Sequence, residues 1–235
     1  PEAQGLLATT FDDAEASDSR RKFAAWSMLQ VESPTPQVID TVMASLDNKS
    51  LSAEMKSTSL LTFGAVSSRV TGEARETLLE TLLAEEKRAR TEGRLRTWLN
   101  ALGNAGLPET LPRITPYFVH SNVLLRETAC SAVRKISDEK ATELLLRALR
   151  QDSEASVRSA AAQTVASRNI EEVNLAFQQR FQAEESELVL RTMVDSLGQR
   201  HPFDEDTELL LRNFANTTVH ASLSQRALNT LQAKL

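Results

Sequence analysis

The chain has 235 residues, 41% hydrophobic and 25% charged, with a net charge of −5, 7 glycines and one cysteine. So little glycine, aromatic residues at 5% and 33 leucines argue against sandwiches, barrels and glycine-looped nucleotide folds, which need turn glycines and β-branched or aromatic strands. A single cysteine excludes an internal disulfide and a cysteine-built zinc cage, and no apolar run approaches the roughly 18 residues of a membrane span.

Leu, Ala, Glu, Arg and Gln are good helix formers, so the chain reads as all-α. Residues 1–17 read as a poorly ordered or irregular lead-in to a single solenoid domain over 1–235, with the repeats across 18–235. Apolar residues three and four apart predict helices over 18–31, 35–47, 51–69, 73–90, 93–104, 108–119, 122–136, 139–150, 154–168, 170–183, 186–199, 205–216 and 219–233. Typical stripes are Val38, Val42 and Leu46, or Leu144, Leu145, Ala148 and Leu149, each covering one face that a neighbour must bury. Ser33-Pro34 and Thr35-Pro36 separate the first two helices, because a residue before proline disfavours the helical region. Pro108, Pro112 and Pro116 remove N–H groups at intervals of four and predict a kinked or two-piece helix. Asp152 and Ser153 read as the cap of 154–168, and Asp204, Glu205 and Asp206 sit where a helix dipole favours carboxylates.

Self-similarity is the dominant signal. LRTWLNALG at 95–103, LRETACSAV at 125–133, VRSAAAQTV at 157–165 and LRTMVDSLG at 190–198 share an aliphatic–Arg pair followed by small or apolar residues. Their anchors Arg96, Arg126, Arg158 and Arg191 are spaced 30, 32 and 33 residues, and weaker copies lie upstream and downstream. About seven copies of a two-helix unit indicate a helical solenoid.

The stretch 144–168, with Asp152, Val157, Arg158, Ala161 and Ala162, resembles a HEAT-type repeat. That resemblance implies a right-handed α-α superhelix with the second helix of each pair on its concave side. The segments 59–70 and 98–118, through Leu60, Gly64, Ala101, Leu102, Gly103, Asn104 and Pro108, resemble the helical domain of the vitellogenin and microsomal triglyceride transfer proteins. That resemblance implies the arch of a larger lipid carrier, with lipid held only together with β-sheet domains that this sequence does not contain.

No Gly-rich phosphate loop, nucleophile elbow or His-Glu-x-x-His occurs, so no catalytic residue, cofactor or metal is expected and the chain reads as not an enzyme. His120, His201 and His220 fall at turns or a helix start without ligand-spaced partners, and Cys130 reads as a buried small residue. The repeated arginines read as a structural ladder bonding each preceding turn and a carboxylate of the Asp152 or Glu185 type, the alternative being an anion-binding track. Trp26 and Trp98 read as core. Arg134, Lys135, Arg168 and Arg200, near the ends of concave helices, are the candidate partner contacts.

Charge is spread unevenly, at −7 over 1–86, +6 over 87–168 and −4 over 169–235. The basic middle opens with Lys87, Arg88, Arg90, Arg94 and Arg96, a solvated helix end or a docking patch for an acidic partner. The overall charge argues against nucleic acid. A protein partner or an adjacent domain of the same protein is expected, and the function reads as a non-catalytic scaffold. The start at Pro1 points to a processed or excised chain. Asn48-Lys49-Ser50 and Asn216-Thr217-Thr218 permit a secreted origin without fixing the compartment.

Overall fold

The computed structural model describes residues 2–168 and 171–234. Pro1 and Ile170, the expected first residue of the helix over 170–183, lie outside the described residues. Among the described residues the chain is all-helical, with fourteen α-helices, short 3₁₀ turns and no strand. It folds as two compact units, Pro1–Pro116 and Tyr117–Leu235.

The first unit holds α1 (Glu2–Asp12), α2 (Asp18–Met28), α3 (Pro36–Asp47), α4 (Ala53–Ser67), α5 (Glu73–Ala84), α6 (Glu92–Ala105) and the short α7 (Leu111–Ile114). α1 corrects the expectation of an irregular lead-in. Its Ala8 and Phe11 are buried, and Gln4 donates to the Ser33 carbonyl while accepting from the Thr35 amide. α1 packs on α3 in one layer, and α2, α4 and α6 stack in the other.

α4 lies between α2 and α6 and is buried almost all round. Its polar residues are spent on backbone: Ser59 donates to Met55 O, Ser67 to Phe63 O and Thr62 to Ala25 O of α2. Such bonding removes the cost of burying hydroxyls. Gly64 lets α6 approach so closely that a side-chain Cβ there would run into the Ala101 carbonyl.

Helix starts follow capping chemistry. Ser17, Ser52, Thr91, Asn122, Asp138 and Asp204 each accept from an amide of the first turn. α6 ends on Gly106 at φ 60°, whose amide bonds Leu102 O. The proline segment breaks into a 3₁₀ turn over Pro108–Thr110, α7, and a second 3₁₀ turn over Thr115–Val119. Each proline lacks the N–H that a continuous helix would use.

The second unit holds α8 (Val123–Ala132), α9 (Glu139–Gln151), α10 (Ala155–Val165), α11 (Glu171–Ala183), α12 (Glu187–Gly198), α13 (Glu205–Thr217) and α14 (Ala221–Gln232). α8, α10, α12 and α14 stack in one layer, and α9, α11 and α13 stack in the other. Phe181 joins α11 to α13 by stacking on Phe214 at 4.3 Å, with Phe177 edge-on at 6.3 Å.

A common register underlies the second helices. Counting from the first residue, positions 7, 8 and 11 are buried in α2 (Ala24, Ala25, Met28), α6 (Trp98, Leu99, Leu102), α10 (Ala161, Ala162, Val165) and α12 (Met193, Val194, Leu197), and in α8 (Ala129, Cys130) with its C-cap Val133. Position 4 lies on the same face.

Candidate functional site

Position 4 is where the arginine ladder is built. Arg126 of α8 and Arg158 of α10 occupy it. Arg126 donates from Nε to Asp152 Oδ2 at 2.8 Å and from Nη2 to Oδ1 at 3.0 Å, while Nη1 reaches the His120 carbonyl. Arg158 repeats the pattern: Nε and Nη2 grip Glu184 at 2.9 and 2.8 Å, and Nη1 donates to Asp152 O and Ser153 O. Each arginine thus ties its own turn to the turn of the next pair. Arg180 adds a further donor to Glu184 at 2.6 Å, and the Ser186 amide donates to the same carboxylate. The expected carboxylate was of the Asp152 or Glu185 type. Asp152 serves, but the second is Glu184, since Glu185 is exposed.

Arg96 and Arg191 do not join this ladder. Both stand at position 5 of their helices, turned about 100° from position 4, and both are exposed. Leu95 and Leu190 take position 4 instead. Arg21 of α2 does occupy position 4 and is buried, donating from Nε to Phe11 O at 2.8 Å.

A second set of side chains closes the opposite helix ends. Arg168, following α10, donates to Val133 O at 3.0 Å, Ile136 O at 2.7 Å, Asp138 O at 3.2 Å and the Thr142 hydroxyl. Arg200, following α12, donates to Ala166 O at 2.8 Å, Asn174 Oδ1 at 2.7 Å and the Thr207 hydroxyl. Arg69 reaches Leu29 O and Asn104 reaches Leu61 O in the first unit. The arginines reach carbonyls at or near helix ends, where acceptors outnumber intrahelical donors, whereas Asn104 adds a second donor to a carbonyl inside α4.

These contacts correct the expected partner-binding role of Arg168 and Arg200. Arg200 is only 4% exposed, and the head groups of both bond to acceptors inside the fold. Burial lowers the pKa of both guanidinium groups, a cost offset by the carbonyls around Arg168 and by Ala166 O, Asn174 and Thr207 around Arg200. Arg134 and Lys135 are exposed on the turn after α8.

The cationic stretch 87–96 divides in two. Glu85, 3% exposed, receives Arg88 at 2.8 Å and lies 3.8 Å from Arg94, and Arg88 also pairs with Asp47. Lys87, Arg90 and Arg96 are exposed and carry no ion pair among the described residues. All three lie on or beside the turn between α5 and α6.

Trp98 is core as expected, its indole N–H donating to Leu82 O at 2.8 Å. Trp26 is not: at position 9 of α2 it faces away from the buried set and is 59% exposed, beside Phe23 at 68%. Burial pushes the Cys130 thiol up to about 12, so it stays protonated at neutral pH. No group of three or more His, Cys, Asp or Glu suited to a metal ion occurs among the described residues. None of their helices is long and apolar enough to cross a membrane.

The HEAT-repeat family model matches residues 94–166, a span that takes in most of α6 and all of α7, α8, α9 and α10. The chain is therefore a HEAT-like helical-repeat protein in this region. No curated protein matches the sequence. Among solved structures, human deoxyhypusine hydroxylase in complex with glycerol is similar at 16% identity and a TM-score of 0.45, covering 99% of this chain and 96% of that one. The CpcE and CpcF complex of phycocyanin lyase from Nostoc sp. PCC7120 is similar at 13% identity and a TM-score of 0.42, covering 99% and 94%. A designed armadillo repeat protein is similar at 14% identity and a TM-score of 0.34, covering 99% and 100%.

Likeness at this level concerns fold alone, and two of these neighbours are named for a hydroxylase and a lyase. The expectation that the chain is not an enzyme is therefore withdrawn. No comparison supports the lipid-transport resemblance. Three of the residues that carry it serve the α4–α6 contact, where Gly64 abuts Ala101 and Asn104 donates to Leu61 O.

Proposed function

We propose that the protein is a helical-repeat binding module that docks an acidic segment, of a protein partner or of an adjacent domain of the same protein, on the edge formed by Lys87, Arg90 and Arg96. One observation carries this reading. Glu85 neutralises Arg88 and Arg94, while these three neighbours remain exposed and unpaired among the described residues. Cations held without an internal counter-ion set up a local positive field that steers and retains anionic partners. Arg134 and Lys135, exposed on the second unit, are candidates for a contact of their own.

Affinity capture with crosslinking, followed by titration of the captured partner, tests the proposal. The triple reversal Lys87→Glu, Arg90→Glu and Arg96→Glu should weaken binding at least about tenfold, or about 1.4 kcal/mol, with unfolding unchanged. Binding should also fall as salt rises through the physiological range. A partner retained at full affinity by the triple variant would refute the assignment.

A further inference from the structure

Between α11 and α13 of the second unit runs a groove of about 410 Å³, a volume in the range of small-ligand and side-chain pockets. Its two walls repeat one another at an interval of 35 residues. Glu171 and Asp206 stand at one end, Leu175 and Leu210 line the middle, and Gln178 and Asn213 stand at the other end. Leu209 widens the apolar floor. Leu175 and Leu209 are 49% and 56% exposed, although large aliphatic side chains gain by burial. The wall residue Asn174 is held from below by Arg200. Gln178 and Asn213 make no side-chain hydrogen bond among the described residues and are exposed.

We infer that this groove is a docking site for an extended peptide segment of a partner protein in which a lysine or arginine is followed, two residues on, by a leucine-like residue, so that both side chains lie on one face. Each element of the groove answers one part of such a ligand. The carboxylates of Glu171 and Asp206 match a cationic side chain, and Glu172 and Glu205 beside them strengthen the negative field against the buried charge of Arg200. The exposed leucines match the apolar side chains. A carboxamide offers a donor and an acceptor together, so Gln178 and Asn213 can each pair with a peptide group of an extended backbone. This site is independent of the cationic edge of the first unit and takes the opposite charge.

Two labelled synthetic peptides of equal length, one carrying Lys-Ser-Leu and the other Glu-Ser-Leu at the same place, test the inference by fluorescence anisotropy on the intact chain. The lysine peptide should bind at least about tenfold more tightly, and its amide chemical-shift changes in ¹⁵N-labelled protein should concentrate in α11 and α13. The pair Glu171→Lys and Asp206→Lys should reverse the preference towards the glutamate peptide. The pair Leu175→Ser and Leu209→Ser should weaken both peptides about tenfold. All four positions are exposed, so circular dichroism should be unchanged. Equal binding of the two peptides, shifts outside α11 and α13, or unchanged affinity in the variants would overturn the inference. So would a concentration-dependent dimer by sedimentation that dissolves in the leucine variant, which would assign the groove to a second copy. The Lys87, Arg90 and Arg96 reversals should leave lysine-peptide binding intact, which separates the two sites.

Discussion

Glu184 is the residue on which most charge converges. Its side chain is 1% exposed, yet it accepts from Arg158, Arg180 and the Ser186 amide. Burial alone would raise its pKa, but those donors outweigh burial and hold it at about 2, against an ordinary value of 4.5. A carboxylate whose pKa is depressed by folding contributes stability that is fully present above its unfolded pKa. That contribution is lost as pH falls from about 4.5 through about 2. Glu184→Gln should therefore lower unfolding free energy at neutral pH by about 3 kcal/mol, because Arg158 and Arg180 lose their buried counter-charge. Urea titrations should show this loss shrinking as pH drops through that window. A deficit of equal size at pH 7 and at pH 2 would contradict the assignment. The pairing was within reach of the sequence, because Glu184 follows Asp152 by 32 residues, the interval from Arg126 to Arg158. Glu185 looked equivalent only because turn residues carry no periodicity of their own.

At the scale of elements, register decided which readings held. The apolar stripes located the helices well, since each must bury one face. What they could not give was the phase of each arginine. The intervals of 30 and 33 residues flanking the 32-residue step mark a one-residue slip, which turned Arg96 and Arg191 outward. Trp26 was misread for the same reason, since a helix buries tryptophan at position 7 and exposes it at position 9. The carbonyl clamps of Arg168 and Arg200 were invisible because their acceptors are backbone atoms, which no side-chain pattern reports. Arg168→Met should cost about 2–3 kcal/mol, since it removes one donor from each of the Val133, Ile136 and Asp138 carbonyls and leaves Val133 and Asp138 only their local donors. Lysine at the same place should recover only part of the loss, lacking the planar fork. In the first unit, Gly64→Ala should cost about 3 kcal/mol because the new methyl meets α6 backbone rather than a yielding side chain. Gly93→Ala, whose added carbon meets nothing within 4 Å, is the matched control and should be neutral or stabilising in chemical denaturation.

For the molecule as a whole, the question is whether charge acts by its place or by its sum. The chain carries −5 overall, and the sign alternates along it as acid, base, acid. Each Lys-to-Glu or Arg-to-Glu change subtracts two charges, so three reversals take the net charge from −5 to −11. If an acidic partner were held only by the mean field, any three exposed reversals would repel it equally. Arg20, Lys49 and Lys140 are also exposed but lie outside the 87–96 edge. Reversing those three should change partner affinity less than about threefold, whereas reversing Lys87, Arg90 and Arg96 should cost at least about tenfold. The contrast should be sharpest near physiological ionic strength, where a screening length of about 8 Å mutes distant charges but leaves contacts standing. At low salt the two triple variants should converge as the whole-molecule field lengthens. Equal losses at physiological salt would place recognition in the net charge and dissolve the edge as a site.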